Sequence, residues 1–141
     1  MKVFLDANIL FSAADDRSQV HRFVRFLADK GVAASSDYAL AEAARNILLK
    51  RPHCAGGLRE LAARIAIVQS CDAPVPVRIA DKDRPILATA VRARCDYLVT
   101  GDQRDFGHLF GQSVGPTRIV TVLMMREVLQ ELLSGPDPRT S

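Results

Sequence analysis

Four acidic residues lie where an apolar segment of this chain ends or a helix begins. Asp6 directly follows the apolar run VFL, and Asp102 comes two residues after the run YLVT. Asp83 opens the segment DRP, which is typical of a helix start because proline is favoured in the first turn. Glu42 lies about two turns into a helical pattern that follows a second apolar run. Because ligands of parallel sheets bind beyond the carboxyl ends of strands, these four acids are expected to converge at one sheet edge.

Carboxylates gathered in one cleft repel each other and raise each other's pKa. A hard divalent cation removes that repulsion, and Mg²⁺ prefers oxygen ligands while keeping several of its waters. Such a water is a nucleophile suited to phosphodiester hydrolysis, and the cation also neutralises the phosphate. The formal net charge of +3 and the pI of about 9.0 favour a polyanionic partner. The acids therefore predict a Mg²⁺ or Mn²⁺ site that hydrolyses a polyanion.

Each of these acids also has a purely structural explanation. Asp83 can serve as a helix N-cap, and Asp102 can be a turn residue after Gly101. Glu42 precedes Arg45 by three residues, the spacing of a solvated ion pair on a helix. Asp6 is the hardest to explain in this way, because an acid within an apolar run is costly to bury without a partner.

The composition favours one globular domain in the cytoplasm. Hydrophobic residues make up 48% and charged residues 25% of the 141 residues, and no apolar run is long enough to span a bilayer. We expect a single domain over residues 1–134 and a flexible polar tail over 135–141. Cys54, Cys71 and Cys95 have neither zinc-ligand nor disulfide-framework spacing, so we interpret them as small buried residues or surface thiols.

Strand and helix patterns alternate along most of the chain. The expected strands are 2–6, 32–35, 97–100 and 118–122. The expected helices are 18–30, a helix from Ser36 or Asp37 to 50, 57–68, 83–94, a short helix after the turn at GDQRDF, and 124–133. Residues 71–77 contain two prolines and predict an extended connection or a short edge strand. The alternation predicts an α/β fold, a three-layer α/β/α domain around a central, mainly parallel sheet.

The strings LDANIL, DRPILATA and DYLVTGDQRDF resemble the motifs of PIN-domain ribonucleases, most of all the VapC-type toxins of toxin–antitoxin pairs. The resemblance covers residues 1 to about 123. It matches Asp6 to the acid that ends the first strand of the family, and Glu42 to a glutamate in a later helix. Asp83 matches the acid of an Asp-x-x-Ile-x-Ala-x-Ala helix start, and Asp102 the acid after a Leu-Val-Thr strand.

The family often has a further acid shortly after that last one, which is Asp105 here. Asn8 and Thr100 fit the small polar positions beside the metal. Asp81 lies two residues before Asp83, so either could be the ligand, but the register of the helix that follows favours Asp83.

The resemblance implies a PIN-like domain with endoribonuclease activity. It implies Mg²⁺ or Mn²⁺ as cofactor, held by Asp6, Glu42, Asp83, Asp102 and Asp105, and RNA as substrate. It further implies a homodimer that a small antitoxin protein inhibits, with no membrane association. Two apolar helical faces are available to contact a partner or to pack on the sheet: Leu58, Leu61 and Ile65, and Met125, Val128 and Leu132.

Two other functions are compatible with the same fold. A housekeeping RNA-processing nuclease would have the same acids and no antitoxin. A non-catalytic PIN-like module would bind RNA or protein without cutting, but the intact set of four acids argues against it. A haloacid-dehalogenase-type phosphatase needs a second aspartate two residues after the first, where this chain has Asn8.

Overall fold

The computed structural model describes residues 1–135, and the tail predicted for 135–141 lies outside the described residues except for Gly135. The strands are β1 (Val3–Leu5), β2 (Ala33–Ser36), β3 (Ala66–Val68), β4 (Tyr97–Val99), β5 (Ser113–Val114) and β6 (Thr117–Val120). The helices are α1 (Ala7–Ala13), α2 (Gln19–Asp29), α3 (Asp37–Lys50), α4 (Ala55–Ala62), α5 (Arg84–Arg92), α6 (Gln103–Phe106) and α7 (Val122–Ser134). Short 3₁₀ helices cover Pro52–Cys54 and Gly107–Leu109.

The six strands form one sheet in the order β3-β2-β1-β4-β6-β5. All neighbours are parallel except β5, which pairs antiparallel with β6. The predicted α/β/α fold around a mainly parallel sheet is confirmed. In the centre, β1 and β4 are in register from Val3 with Tyr97 to Leu5 with Val99, so both strands end at the same level.

The central strands are buried on both faces, which explains why they are continuous apolar runs in the sequence. Phe4, Leu98 and Ile119 have no exposed surface. Helix α1 packs against α2, α3 and α4, while α5 contacts β2 and β4. No helix within residues 1–135 is both long and apolar enough to cross a membrane.

The predicted end of one helix is wrong. The helix predicted for 57–68 ends at Ala62, and Ala66–Val68 instead forms β3, which pairs with the edge of β2. A run of three apolar residues fits the periodicity of a helix or of a strand. A strand forms here because it pairs with the backbone N–H and C=O groups at the edge of β2. Residues 71–77 form a connection, one of the two structures predicted for them, with a bend at residues 76–77 and no strand in this segment of the described chain.

Besides β3, one α-helix and one further strand were not predicted. Helix α1 begins immediately after β1, because the side chain of Asp6 caps it by accepting from the N–H of Ala7. Strand β5 is only two residues long and turns into β6 through Gly115, whose φ of 56° is readily adopted by glycine.

Candidate active site

The site begins where β1 and β4 end side by side. The backbone N–H of Asp6 donates to the carbonyl oxygen of Val99 at 3.1 Å, and the hydroxyl of Thr100 donates to Asp6 Oδ2 at 2.8 Å. Both residues lie one position beyond the paired register of their strands. The sheet therefore fixes Asp6 and the start of the loop that carries Asp102.

Asp6 is held by three donors. Its Oδ1 accepts from the N–H of Ala7 at 2.6 Å, and its Oδ2 accepts from Asn8 Nδ2 at 3.1 Å as well as from Thr100. Asn8 Oδ1 in turn accepts from the N–H of Gly101 at 2.9 Å, which joins the loops after β1 and β4. These contacts give the carboxylate of Asp6 a single orientation.

The pKa of Asp6 rises from its usual 3.8 to about 6. Burial is the largest cause, because Asp6 is only 3% exposed and the charged form of its carboxylate is poorly solvated. The hydrogen bonds from Thr100 and Ala7 lower the pKa, while the negative charges of Glu42 and Asp83 raise it again. The environment of Asp6 thus favours a bound positive charge, whether a proton or a cation.

Asp83 is buried at the N-cap position of α5, but its carboxylate caps no N–H of this helix, which lies wholly within the described residues. Burial raises the pKa of Asp83, and its hydrogen bond with Lys82 Nζ, at 3.0 Å, opposes that rise. The side chain of Asp81 is 95% exposed and pairs with Arg84 at 2.8 Å. The structure therefore places Asp83, rather than Asp81, in the site.

Asp102 and Asp105 lie next to Asp83. Asp102 caps α6 by accepting from the N–H of Asp105 at 3.1 Å. Carboxylate oxygens of Asp83, Asp102 and Asp105 lie within 4.8 Å of one another. Lys82 Nζ donates to Asp105 Oδ2 at 2.8 Å, so one ammonium group contacts two of these three acids.

One cleft of about 540 Å³ brings together Asp6, Glu42, Asp83 and Asp102, while Asp105 lies beside it, next to Asp83. Glu42 is half-buried on α3, and within residues 1–135 it forms no salt bridge with Arg45 or any other residue. All four predicted acids therefore line the same cavity.

The cleft also contains residues that the sequence motifs did not indicate: Phe11, Asn46, Lys50 and Lys82. Glu42, Asn46 and Lys50 are spaced by four along α3, so they share one helix face. That spacing could have identified Asn46 and Lys50, and the position of Lys82 next to Asp83 could have identified Lys82.

The donor set fits a hard divalent cation. Asp83, Asp102 and Asp105 each offer a carboxylate oxygen, the ligand type that Mg²⁺ and Mn²⁺ prefer. Lys82 already places a positive charge between two of these acids. This position is therefore one where a cation is stabilised electrostatically.

A mainly parallel sheet between helices, with an acidic cleft beyond two central strands, is the architecture that the resemblance to PIN domains implied. No protein-family model matches the sequence, and no curated protein matches it. Solved structures do match the fold. VapBC2 from Rickettsia felis, bound to a DNA fragment from its promoter, has a TM-score of 0.62 at 17% identity, over 86% of this chain and 98% of that chain.

VapC20 of Mycobacterium tuberculosis, described as a toxin that cleaves the sarcin–ricin loop, has a TM-score of 0.55 at 10% identity, over 80% of this chain and 99% of that chain. FitAB bound to an IR36 DNA fragment has a TM-score of 0.52 at 19% identity, over 85% of this chain and 94% of that chain. The chain therefore has a VapC-type PIN fold, as the sequence motifs implied.

Proposed function

We propose that this protein is a metal-dependent endoribonuclease and the toxin of a toxin–antitoxin pair. The observation that carries the proposal is the convergence of Asp6, Glu42, Asp83 and Asp102 in one cleft. The similarity of the fold to a toxin that cleaves the sarcin–ricin loop supports RNA as the substrate.

The acids of the cleft suit distinct tasks in phosphodiester hydrolysis. A bound Mg²⁺ or Mn²⁺ would activate a water and neutralise charge on the phosphate. Asp6, oriented by Thr100 and Asn8, and Asp102 would hold the cation. Asp83 and Glu42 would ligate it directly or through water and orient the nucleophile, and Asp105 would add charge beside Asp83.

The other flank of the cleft suits a nucleic-acid strand. Lys50 Nζ lies 6.0 Å and the Arg51 guanidinium 4.8 Å from the centre of the Phe11 ring. Exposed cations can neutralise the phosphates of a strand, and an aromatic side chain beside them can stack on its bases. We therefore propose that single-stranded or looped RNA crosses the cleft over Phe11.

We also propose that the protein is a cytoplasmic homodimer inhibited by a small antitoxin, with residues 1–134 forming the whole nuclease domain. Leu58 and Leu61 are buried against the core, so the first apolar face predicted from the sequence is not free for a partner. In the second predicted face, Met125 is also fully buried, but Leu132 near the end of α7 is 61% exposed, so the last turns of α7 are the better candidate. A basic antitoxin side chain would pair with the acids of the cleft.

Two experiments test this proposal. The purified protein should cleave structured RNA in the presence of Mg²⁺ or Mn²⁺, and the addition of EDTA should stop the cleavage. Its expression should arrest bacterial growth, and co-expression of a small neighbouring reading frame should relieve the arrest. Cleavage in the test tube without growth arrest would favour the housekeeping nuclease, and RNA binding without cleavage would favour the non-catalytic module.

Metal should stabilise the folded chain. A cation that binds only the native state contributes about 1.4 kcal/mol at ten times its Kd, or about 4 °C in Tm for a domain of this size. Thermal melts across a Mn²⁺ titration measure this rise, and Asp102→Asn should reduce it. A Tm that stays constant across the titration would contradict a shared metal site.

The increase in Tm caused by Mn²⁺ should depend on pH, because the carboxylate of Asp6 titrates in the accessible range. Because its pKa is raised to about 6 in the folded chain, Asp6 stabilises the metal-free protein at low pH and loses that contribution as the pH rises from about 4 through 6. Protons also compete with the cation for the carboxylate. The increase in Tm caused by Mn²⁺ should therefore be larger at pH 7.5 than at pH 5, and equal increases would contradict this role of Asp6.

A further inference from the structure

Lys82 lies at the mouth of the acidic cleft with a fixed backbone and an exposed side chain. Its carbonyl oxygen accepts from the hydroxyl of Tyr38 at 2.7 Å, which fastens the turn before α5 to α3. Its side chain is 59% exposed, and its Nζ bonds to Asp83 at 3.0 Å and to Asp105 at 2.8 Å. The flexible four-carbon stem can therefore move while the backbone stays in place.

The ammonium group of Lys82 competes for the same oxygens as a metal. Asp83 and Asp105 both belong to the cluster whose oxygens lie within 4.8 Å of one another. A divalent cation on these acids would take away the partners of Lys82 and repel its positive charge. Binding of the metal must then break at least one of the two ion pairs that Lys82 now forms.

We propose that Lys82 alternates between two partners: it neutralises Asp83 and Asp105 before metal binds, and contacts a phosphate of the RNA once metal has replaced it. This inference rests on the proposed nuclease function. Lys82 lines the same cleft as Asp6, Glu42 and Asp102, so its released ammonium group remains at the place where a phosphate must enter. A strongly hydrated point charge on a flexible stem is suited to such a contact.

Two effects of opposite sign distinguish this role from a structural one. Lys82→Met removes the competitor, so Mn²⁺ should bind about fivefold more tightly, the scale expected for an exposed ion pair. The same variant lacks the phosphate contact, so the KM for RNA at saturating Mn²⁺ should rise about fivefold, with a smaller change in kcat. A residue that only shaped the turn would weaken both metal binding and RNA binding.

The experiment uses the full chain and Mn²⁺ as the probe. Titration calorimetry without RNA gives the Mn²⁺ affinity of the wild type, Lys82→Met, Lys82→Arg and the control Lys30→Met, whose lysine is exposed at the end of α2. Cleavage rates at saturating Mn²⁺ give KM and kcat for the same proteins. Lys82→Arg should restore the wild-type KM in large part, and Lys30→Met should match the wild type throughout.

The outcomes separate the inference from the function on which it rests. Unchanged or weaker Mn²⁺ affinity in Lys82→Met, or an unchanged KM, would overturn the role of Lys82 while leaving the nuclease intact. Absence of Mn²⁺ binding by the wild type would overturn the metal site itself, and the inference with it.

Discussion

Asp6→Asn is expected to reduce RNA cleavage by about 10³-fold while the chain remains folded. The substitution removes the negative charge that is most firmly oriented in the cleft, and groups that stabilise transition-state charge have effects on this scale. The amide also presents a donor where Asn8 Nδ2 and Thr100 now donate to a carboxylate oxygen. The substitution therefore alters both the charge of the proposed metal site and its local hydrogen bonding, and leaves the sheet beneath them unchanged.

Initial cleavage rates at saturating Mn²⁺ measure this loss, and circular dichroism verifies the fold. Asp29→Asn is a matched control, because Asp29 is exposed at the end of α2 and its substitution changes the net charge by the same amount. That control should cleave at the wild-type rate. Equal rates for Asp6→Asn and the wild type, each prepared free of contaminating nuclease, would contradict the assignment of Asp6.

The sequence allowed most of the site to be located because its acids follow regular elements. Asp6 and Asp102 come after apolar runs that form adjacent parallel strands, and the ends of such strands meet. Glu42 lies on α3, where its position is equally typical of a solvated ion pair. Asp83 directly precedes α5, where its position is equally typical of an N-cap. Their positions after the second apolar run and at a helix start already suggested the same sheet edge, and the family motifs matched them individually. The structure places both in the cleft, where, among the described residues, Glu42 has no ion pair and the side chain of Asp83 caps no N–H of α5.

What the sequence left open depends on contacts between distant segments. Ala66–Val68 became a strand because the edge of β2 was available for pairing, and no local pattern records that edge. Lys82 reaches Asp105 across 23 positions of the chain, and a long side chain of this kind leaves no periodic signal. The register of the following helix favoured Asp83 over Asp81, and burial agrees with that choice, since Asp81 is exposed and pairs with Arg84 at the surface.

Two adjacent glycines of α4 are expected to respond in opposite directions to alanine. A Cβ on Gly57 would overlap the carbonyl oxygen of Ala14 and lie 3.2 Å from its carbonyl carbon, so the backbones of α1 and α4 would have to separate. Overpacking against backbone costs about 3 kcal/mol, since no side chain can rotate away. A Cβ on Gly56 meets nothing within 4 Å, so Gly56→Ala should stabilise the helix by about 0.5–1 kcal/mol.

Urea unfolding of the two variants measures this difference, with equal m-values as the sign that the free energies are comparable. The pair is matched, because both substitutions add one methyl group to the same helix and differ only in what that group meets. Equal stability of the two variants would contradict the close approach of α4 to the end of α1. That approach bears on the candidate active site, since Asp6 caps α1 and α1 packs against α3, the helix that carries Glu42. Gly57→Ala should therefore also lower the increase in Tm that Mn²⁺ produces, whereas Gly56→Ala should leave it unchanged.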